Sequence, residues 1–446
     1  PTIPTTTGFA GAGFVTIQPA IGGTYASAFT PSYSLDSALT GLTLGHGTNT
    51  ANITLNNAIG IAGPISIYGG AITVNQNLNT STAATASAVM LKGRGNISLA
   101  SGKSITTNGG AVTFWADSDG NNSGYTQLLK DATVTTNGGA ITMGGGTDIT
   151  TGYAIGEATK DTVTEPTYDL YISGVNLQSG TTLSSGGGDI TLRGQNSGGS
   201  PNAMSFGVMG GGTTLPATLD SGTGKISIIG KATGSGTTIN AQAITSHGTA
   251  GMVLRSANTT AQAISMVGDA SGVTGGAASL GVNFVGTIEA TGIGGGISIT
   301  GTAGTATTDV ATTLGGSILA KTGPITVVGN NSSTQLGINF GTATLGFKAG
   351  TNVLTSSSTI TLKADGIGFG TTSVNTTGTV GIYSLDASNS FGSAQTLPSS
   401  FTLSSGITGL TIGKTLNTAA ITVDRAVDIA GPISIYGGKI TLNADL

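Results

Sequence analysis

The chain has 446 residues, of which 8% are charged and 77 are glycine, and its net charge is −4 from 15 basic and 19 acidic residues. No basic stripe exists to hold phosphates, so no nucleic-acid partner is expected. There is no cysteine, which excludes disulfides, thiol catalysis and thiolate metal sites.

Soluble domains ordinarily carry about 25% charged residues. A Gly/Ser/Thr-rich chain this poor in charge could be disordered, but its mean hydropathy is positive. Ile, Val and Leu also recur in short alternating runs, which favours order around a thin, regular core. No run of 18 apolar residues occurs, so no membrane-spanning helix is expected. The sequence begins at Pro1 without a signal-peptide pattern and reads as a mature product or an internal window of a longer chain.

Residues 1–30 are rich in Thr, Gly and Ala, with Phe9, Phe14 and Ile17, and look like a weak version of the segment near Ile382 and Leu385. From Leu35 onward, apolar–polar–apolar triplets alternate with Gly, Asn or Ser corners. The first are Leu42-Thr43-Leu44, Ile53-Thr54-Leu55, Ile65-Ser66-Ile67 and Ile72-Thr73-Val74. Period-2 alternation predicts strands of about three to five residues with one buried face, and the glycines predict tight corners. The pattern continues at Ile97, Ile105 and Val112, then at Ile190, Ile226, Ile297, Ile325 and Ile360. Thr106-Thr107-Asn108-Gly109-Gly110-Ala111 recurs as Thr135-Thr136-Asn137-Gly138-Gly139-Ala140. No stretch has sustained helical periodicity.

Two insertions break the rhythm and are expected to leave the strand stack. One is the polar segment 116–127. The other is 156–169, which carries Glu157, Lys160, Asp161, Glu165 and Asp169. The Gly-rich segment 196–216 reads as a third excursion.

Gly63-Pro64-Ile65-Ser66-Ile67-Tyr68-Gly69-Gly70-Ala71-Ile72-Thr73-Val74-Asn75 returns almost unchanged 368 residues later, as Gly431-Pro432-Ile433-Ser434-Ile435-Tyr436-Gly437-Gly438-Lys439-Ile440-Thr441-Leu442-Asn443. Between residues 32–78 and 400–446, roughly 60% of positions are identical. The chain is therefore read as one block, 1–368, and the start of a second copy, 369–446, continuous with the first.

Very short strands joined by glycine corners do not make a stable hairpin sheet, but they can stack. About three strands and roughly 20 residues per coil, with coils about 4.8 Å apart, give an all-β parallel β-helix, or β-solenoid, with loop excursions. Asn75 and Asn443 at corners suit ladders of side-chain amides between coils. Open coil edges invite pairing, so the expected partner is another copy of the chain, end to end or laterally in a filament.

Three segments resemble large bacterial exoproteins of the filamentous-haemagglutinin kind: 63–75, Gly109-Gly110-Ala111-Val112-Thr113-Phe114-Trp115-Ala116-Asp117-Ser118-Asp119, and Gly187-Gly188-Asp189-Ile190-Thr191-Leu192. The resemblance covers most of the chain in style and these segments as strict motif. It implies a right-handed β-helical shaft, secreted and displayed on the bacterial cell surface, which adheres to surface carbohydrate or other cells or builds fibres. The N-terminal secretion domain of such proteins is not evident in the sequence.

Few residues suggest chemistry. Asp117, Asp119 and Asn121 place oxygen ligands at alternate positions around Gly120, a pattern that suits calcium, although the later bidentate Glu is missing and Asx-rich turns also form without metal. No other cofactor is indicated. Asp189 and Arg193 share the outward face of one predicted strand and are simplest as a structural ion pair; Glu157 and Asp161 are simplest as solvated charges. His46, one of two histidines, aligns with Lys414 in the second copy, and no Ser–His–Asp set can be built. The leading expectation is a non-catalytic structural or adhesive fibre. Two alternatives remain open. A β-helical carbohydrate-active enzyme would show clustered carboxylates and cations, and an ice- or carbohydrate-binding solenoid would show a flat Thr-x-Thr face or an aromatic platform.

Overall fold

The computed structural model describes residues 8–20, 23–156, 158–159, 171–198, 204–235, 240–274, 278–305, 309–331, 336–385 and 389–446. Among them there is no helix, and strands are paired almost entirely in parallel. Parallel strands need long crossovers; here the remainder of each coil supplies them. The fold is the expected parallel β-helix, or β-solenoid. It divides into two compact units, Pro1–Ser197 with Phe206–Gly224, and Gly198–Ser205 with Lys225–Leu446. That division falls inside the first repeat block.

In the first unit the triplets become the rungs. Gly41–Gly45, Ile65–Gly69, Val89–Gly93, Val112–Trp115, Ile141–Gly144 and Ile190–Asn196 pair in order. Their inward residues form columns. Leu44, Ile67, Leu91, Phe114, Met143 and Leu192 lie in register, each at most 2% exposed. Two further strand columns run through the coils, one through Ile53, Ile72 and Ile97, the other through Leu78, Ile105, Val134 and Leu183. Burying one such side chain contributes about 1.5–3 kcal/mol, so the narrow core is stabilised by repetition. The second unit repeats the scheme with Ile226, Ile264, Ile297, Ile325, Ile360 and Val380.

The recurring Thr-Thr-Asn-Gly-Gly-Ala motif is a corner. Thr136 Oγ1 donates to its own corner carbonyl at Gly139 (2.5 Å) and lies 3.2 Å from the carbonyl of Ser185 on the next coil. Thr107 does the same toward Gly110 and Thr136 (2.5 and 3.3 Å), and Ser185 toward Gly188 and Ser221. These hydroxyls are fully buried, so the column satisfies carbonyls that the turn removes from water. Asn137 holds φ at 51°, and its Nδ2 donates to Thr107 O at 2.9 Å. Gly139 is required for space: a Cβ there would lie 2.2 Å from Gly110 O.

The two sequence copies fold alike. Leu42 pairs with Ile65 and Leu410 with Ile433; Ile53 pairs with Ile72 and Ile421 with Ile440. Asn49 Oδ1 accepts from Tyr25 N and Ala51 N, both at 3.1 Å, and its Nδ2 donates to Tyr68 O at 2.9 Å. Asn417 repeats this with Phe391 N, Ala419 N and Tyr436 O at 3.1, 3.1 and 2.7 Å. The amide ladder is also present: Asn75 Nδ2 donates to Asn56 Oδ1 at 2.8 Å, and Asn443 Nδ2 to Asp424 Oδ1 at 2.6 Å.

Four expectations need correction. Coils are not uniformly about 20 residues: Leu42 pairs with Ile65, Ile141 with Ile190, and Ile360 with Val380. Strands are not all short, since Ala278–Ala290 has 13 residues and Val310–Ala320 has 11. Met204–Gly210, expected in an excursion, is a strand, buried from Ser205 to Gly210. The 368-residue offset fails upstream: Ile17 pairs with Leu44 as Ile382 pairs with Ile412, so that coil differs by three residues between copies.

Candidate functional site

The polar segment after Trp115 leaves the stack as expected and rejoins it at the Thr126–Leu128 strand. Asp117 takes φ of 47° at the exit, and its Oδ1 accepts from Ser123 N at 3.2 Å, closing the loop on itself. Burial pushes the Asp117 carboxyl above its ordinary value; the Ser123 amide pulls it down, and the nearby Asp119 charge adds to the rise. Asp119 turns to a cation: its Oδ2 lies 3.1 Å from Arg94 Nη2 and accepts from Asn121 Nδ2 at 3.2 Å. Asp119 Oδ1 is enclosed, with no hydrogen-bond partner among the described residues. Arg94, Asp119, Asn121 and Ser123, with Thr50, Asn52 and Asn96, line a polar groove across neighbouring coils.

Calcium takes six to eight oxygen ligands. Asp117, Asp119 and Asn121 do come together, but their donors do not converge. Asp117 serves its own loop, Asn121 offers its nitrogen, and Arg94 already neutralises Asp119. Among the described residues there is no group of three or more His, Cys, Asp or Glu able to hold a metal. An ion would have to displace Arg94.

Arg193 lies within electrostatic reach of Asp148 on the neighbouring loop, which helps hold the Asp148 carboxyl below its usual value behind the hydrogen bonds from Thr150 and Thr151. Glu157, Lys160, Asp161, Glu165 and Asp169 lie outside the described residues. Among the described residues, the His46 side chain bonds to Thr48, its Nδ1 lying 2.9 Å from Thr48 Oγ1.

The outward face of the main sheet has two ranks. In the first unit the first rank runs Thr43, Ser66, Met90, Thr113, Thr142 and Thr191; in the second it begins Ser227, Ser265, Ser298 and Thr326. The second rank, two residues on, is mixed in chemistry. It runs Gly45, Tyr68, Lys92, Trp115 and Gly144 in one unit, and Ile229, Val267, Thr300, Val328 and Lys363 in the other. No flat Thr-x-Thr face is formed on this sheet. Lys92 Nζ instead sits 3.7 Å from the Trp115 ring centroid, and Trp115 Nε1 donates to Gly146 O at 2.6 Å. Reading the triplets alone does not reveal this trio, because register decides which outward residues become neighbours.

A second cluster was also hidden from the sequence. Arg255 and Glu289 are directly paired across adjacent strands, with Arg255 Nε 2.9 Å from Glu289 Oε2. Glu289 is 2% exposed and accepts from Asn352 Nδ2 at 2.7 Å, which ties a loop to the stack. The cluster offers one carboxylate, whereas glycoside hydrolysis usually employs two.

The fold and these sites define the class as a parallel β-solenoid protein. Comparison with protein-family models, curated proteins and solved structures found no match to the chain.

Proposed function

We propose that this chain is a structural or adhesive element of an extracellular fibre, with a mechanical rather than a catalytic role. The observation that carries the reading is the duplicated coil pair: Leu42 on Ile65 and Leu410 on Ile433, each locked by an equivalent asparagine corner. A unit that is copied with its inter-coil register intact is a building element, since each coil needs only its neighbours for stability. The continuous inward columns and the low charge support the same reading. The sequence resemblance to filamentous-haemagglutinin-like exoproteins supports secretion and display at a bacterial surface, with self-association and surface carbohydrate as the partners.

Electron microscopy of the purified chain over a range of concentrations tests the proposal. Filaments that lengthen with concentration are expected; isolated particles throughout would overturn self-assembly. Calcium at Asp117, Asp119 and Asn121 is tested separately by titration. If it binds, calcium should raise the thermal midpoint in wild type, and Asp119→Asn should abolish the shift.

A further inference from the structure

We propose that the outer face of the first unit's main sheet binds an acidic polysaccharide, as an oligouronate strand laid across successive coils. Thr113, Thr142 and Thr191 stand in register and floor a groove whose wall is Ile149, Thr150 and Arg193. Their hydroxyls repeat at about the coil spacing of 4.8 Å, and an extended glycan advances by a similar step per sugar ring. Each hydroxyl can both donate and accept, as a sugar hydroxyl requires.

Two cations bracket the floor. Lys92 lies on the coil before Thr113 and Arg193 on the coil of Thr191, three coils apart, or roughly 14 Å. Between them Ile149 packs over Gly144, where an added Cβ would lie 3.2 Å from its side chain, and Trp115 is fixed on the neighbouring coil by Gly146 and capped by the Lys92 ammonium. Arg193 Nε is enclosed and has no hydrogen-bond partner among the described residues. Asp148 supplies a nearby negative charge, but its carboxylate is held by the Thr150 and Thr151 hydroxyls. As a charged fork in the groove wall, the Arg193 guanidinium matches a carboxylate geometrically, which is why a uronate fits better than a neutral sugar. Repeating carboxylates on one strand can engage Lys92 and Arg193 together.

The inference adds a ligand to the fibre reading without depending on it: microscopy tests that reading, and glycan binding tests this one. Trp115 is the single tryptophan of the chain, so its fluorescence reports on the site. The full chain is titrated with an eight-unit oligogalacturonate, by calorimetry and by tryptophan emission, beside a neutral glucan of equal length and dextran sulfate. Saturable binding of the oligogalacturonate alone, with a change in Trp115 emission, is expected. Arg193→Gln and Lys92→Gln should each weaken it about ten-fold or more, and Arg193→Lys should keep part of it. Lys363→Gln, on the same rank of the second unit, should leave it unchanged. Thermal midpoints establish that each variant is folded, and Lys92→Gln decides the matter if Arg193→Gln does not fold. Absence of saturable binding, equal binding of the neutral glucan, preference for dextran sulfate, or full affinity in the folded Arg193→Gln and Lys92→Gln variants would each overturn the assignment.

Discussion

Thr135 and Thr136 are adjacent and chemically identical, yet their roles differ completely. Thr135 faces outward, while Thr136 is fully buried and its hydroxyl serves the carbonyls of Gly139 and Ser185. Replacing Thr136 with Val keeps the volume but leaves buried acceptors short of a donor, which should cost about 1–3 kcal/mol. Thr135→Val should stay within about 0.5 kcal/mol; urea denaturation of the two variants makes the comparison. Asp117 gives a pH-dependent counterpart. Its carboxyl is raised in the folded chain, so its ionisation opposes folding. The folded state is favoured at acid pH, and that advantage is lost as pH rises from the ordinary carboxylate value through the raised one. Asp117→Asn keeps an acceptor for the Ser123 amide and removes the penalty. Its stability relative to wild type should therefore grow across that window and then level off. Asp36 and Asp148, both lowered by hydrogen bonds, act in the opposite sense and are common to both proteins.

Among elements, the legible ones were those with clean alternation. Every Ile-x-Ile or Ile-x-Leu triplet read from the sequence is a strand, and all but Ile433–Ile435 and Ile440–Leu442 bury the apolar pair, because such a pair around an outward Thr or Ser leaves an unambiguous period of two. Strands such as Ala278–Ala290 and Val310–Ala320 were missed because Gly, Ala and Thr are interspersed among their buried Val282, Phe284, Ile288, Leu314 and Ile318, which blurs the alternation. The acidic loop was legible as an excursion, but its ion pair was not, since Arg94 comes from the coil below. Packing between elements shows in the central coils: Ile72 is 1% exposed between the coils of Ile53 and Ile97. Ile72→Ala should cost about 2–5 kcal/mol, read from the shift in denaturation midpoint.

For the molecule as a whole, the repeat seen in the sequence is conformational and not only compositional. Asn49 and Asn417 each gather two backbone amides and the carbonyl of a tyrosine on the following coil, so that groups from three successive coils meet at one side chain. Removing either amide should cost at least about 2 kcal/mol, since several buried groups lose partners together. The two sites share no partner residue, so the double variant Asn49→Ala/Asn417→Ala should lose the sum of the two within about 0.5 kcal/mol. A clear departure in calorimetric unfolding would mean that the copies are energetically coupled. The sequence could not disclose where the compact units divide, because the pairing scheme runs on the same residue types throughout and only coil length varies.

The matched register of the two copies has a genetic corollary. A crossover between the DNA encoding residues 41–74 and that encoding 409–442 would splice strands that already share partners, corner amides and inward faces. Descendant genes could then gain or shed whole blocks of 368 codons while keeping the inter-coil register at the join. Elsewhere in the chain, where coils run from about 20 to about 49 residues, the same recombination event would throw every downstream rung out of alignment.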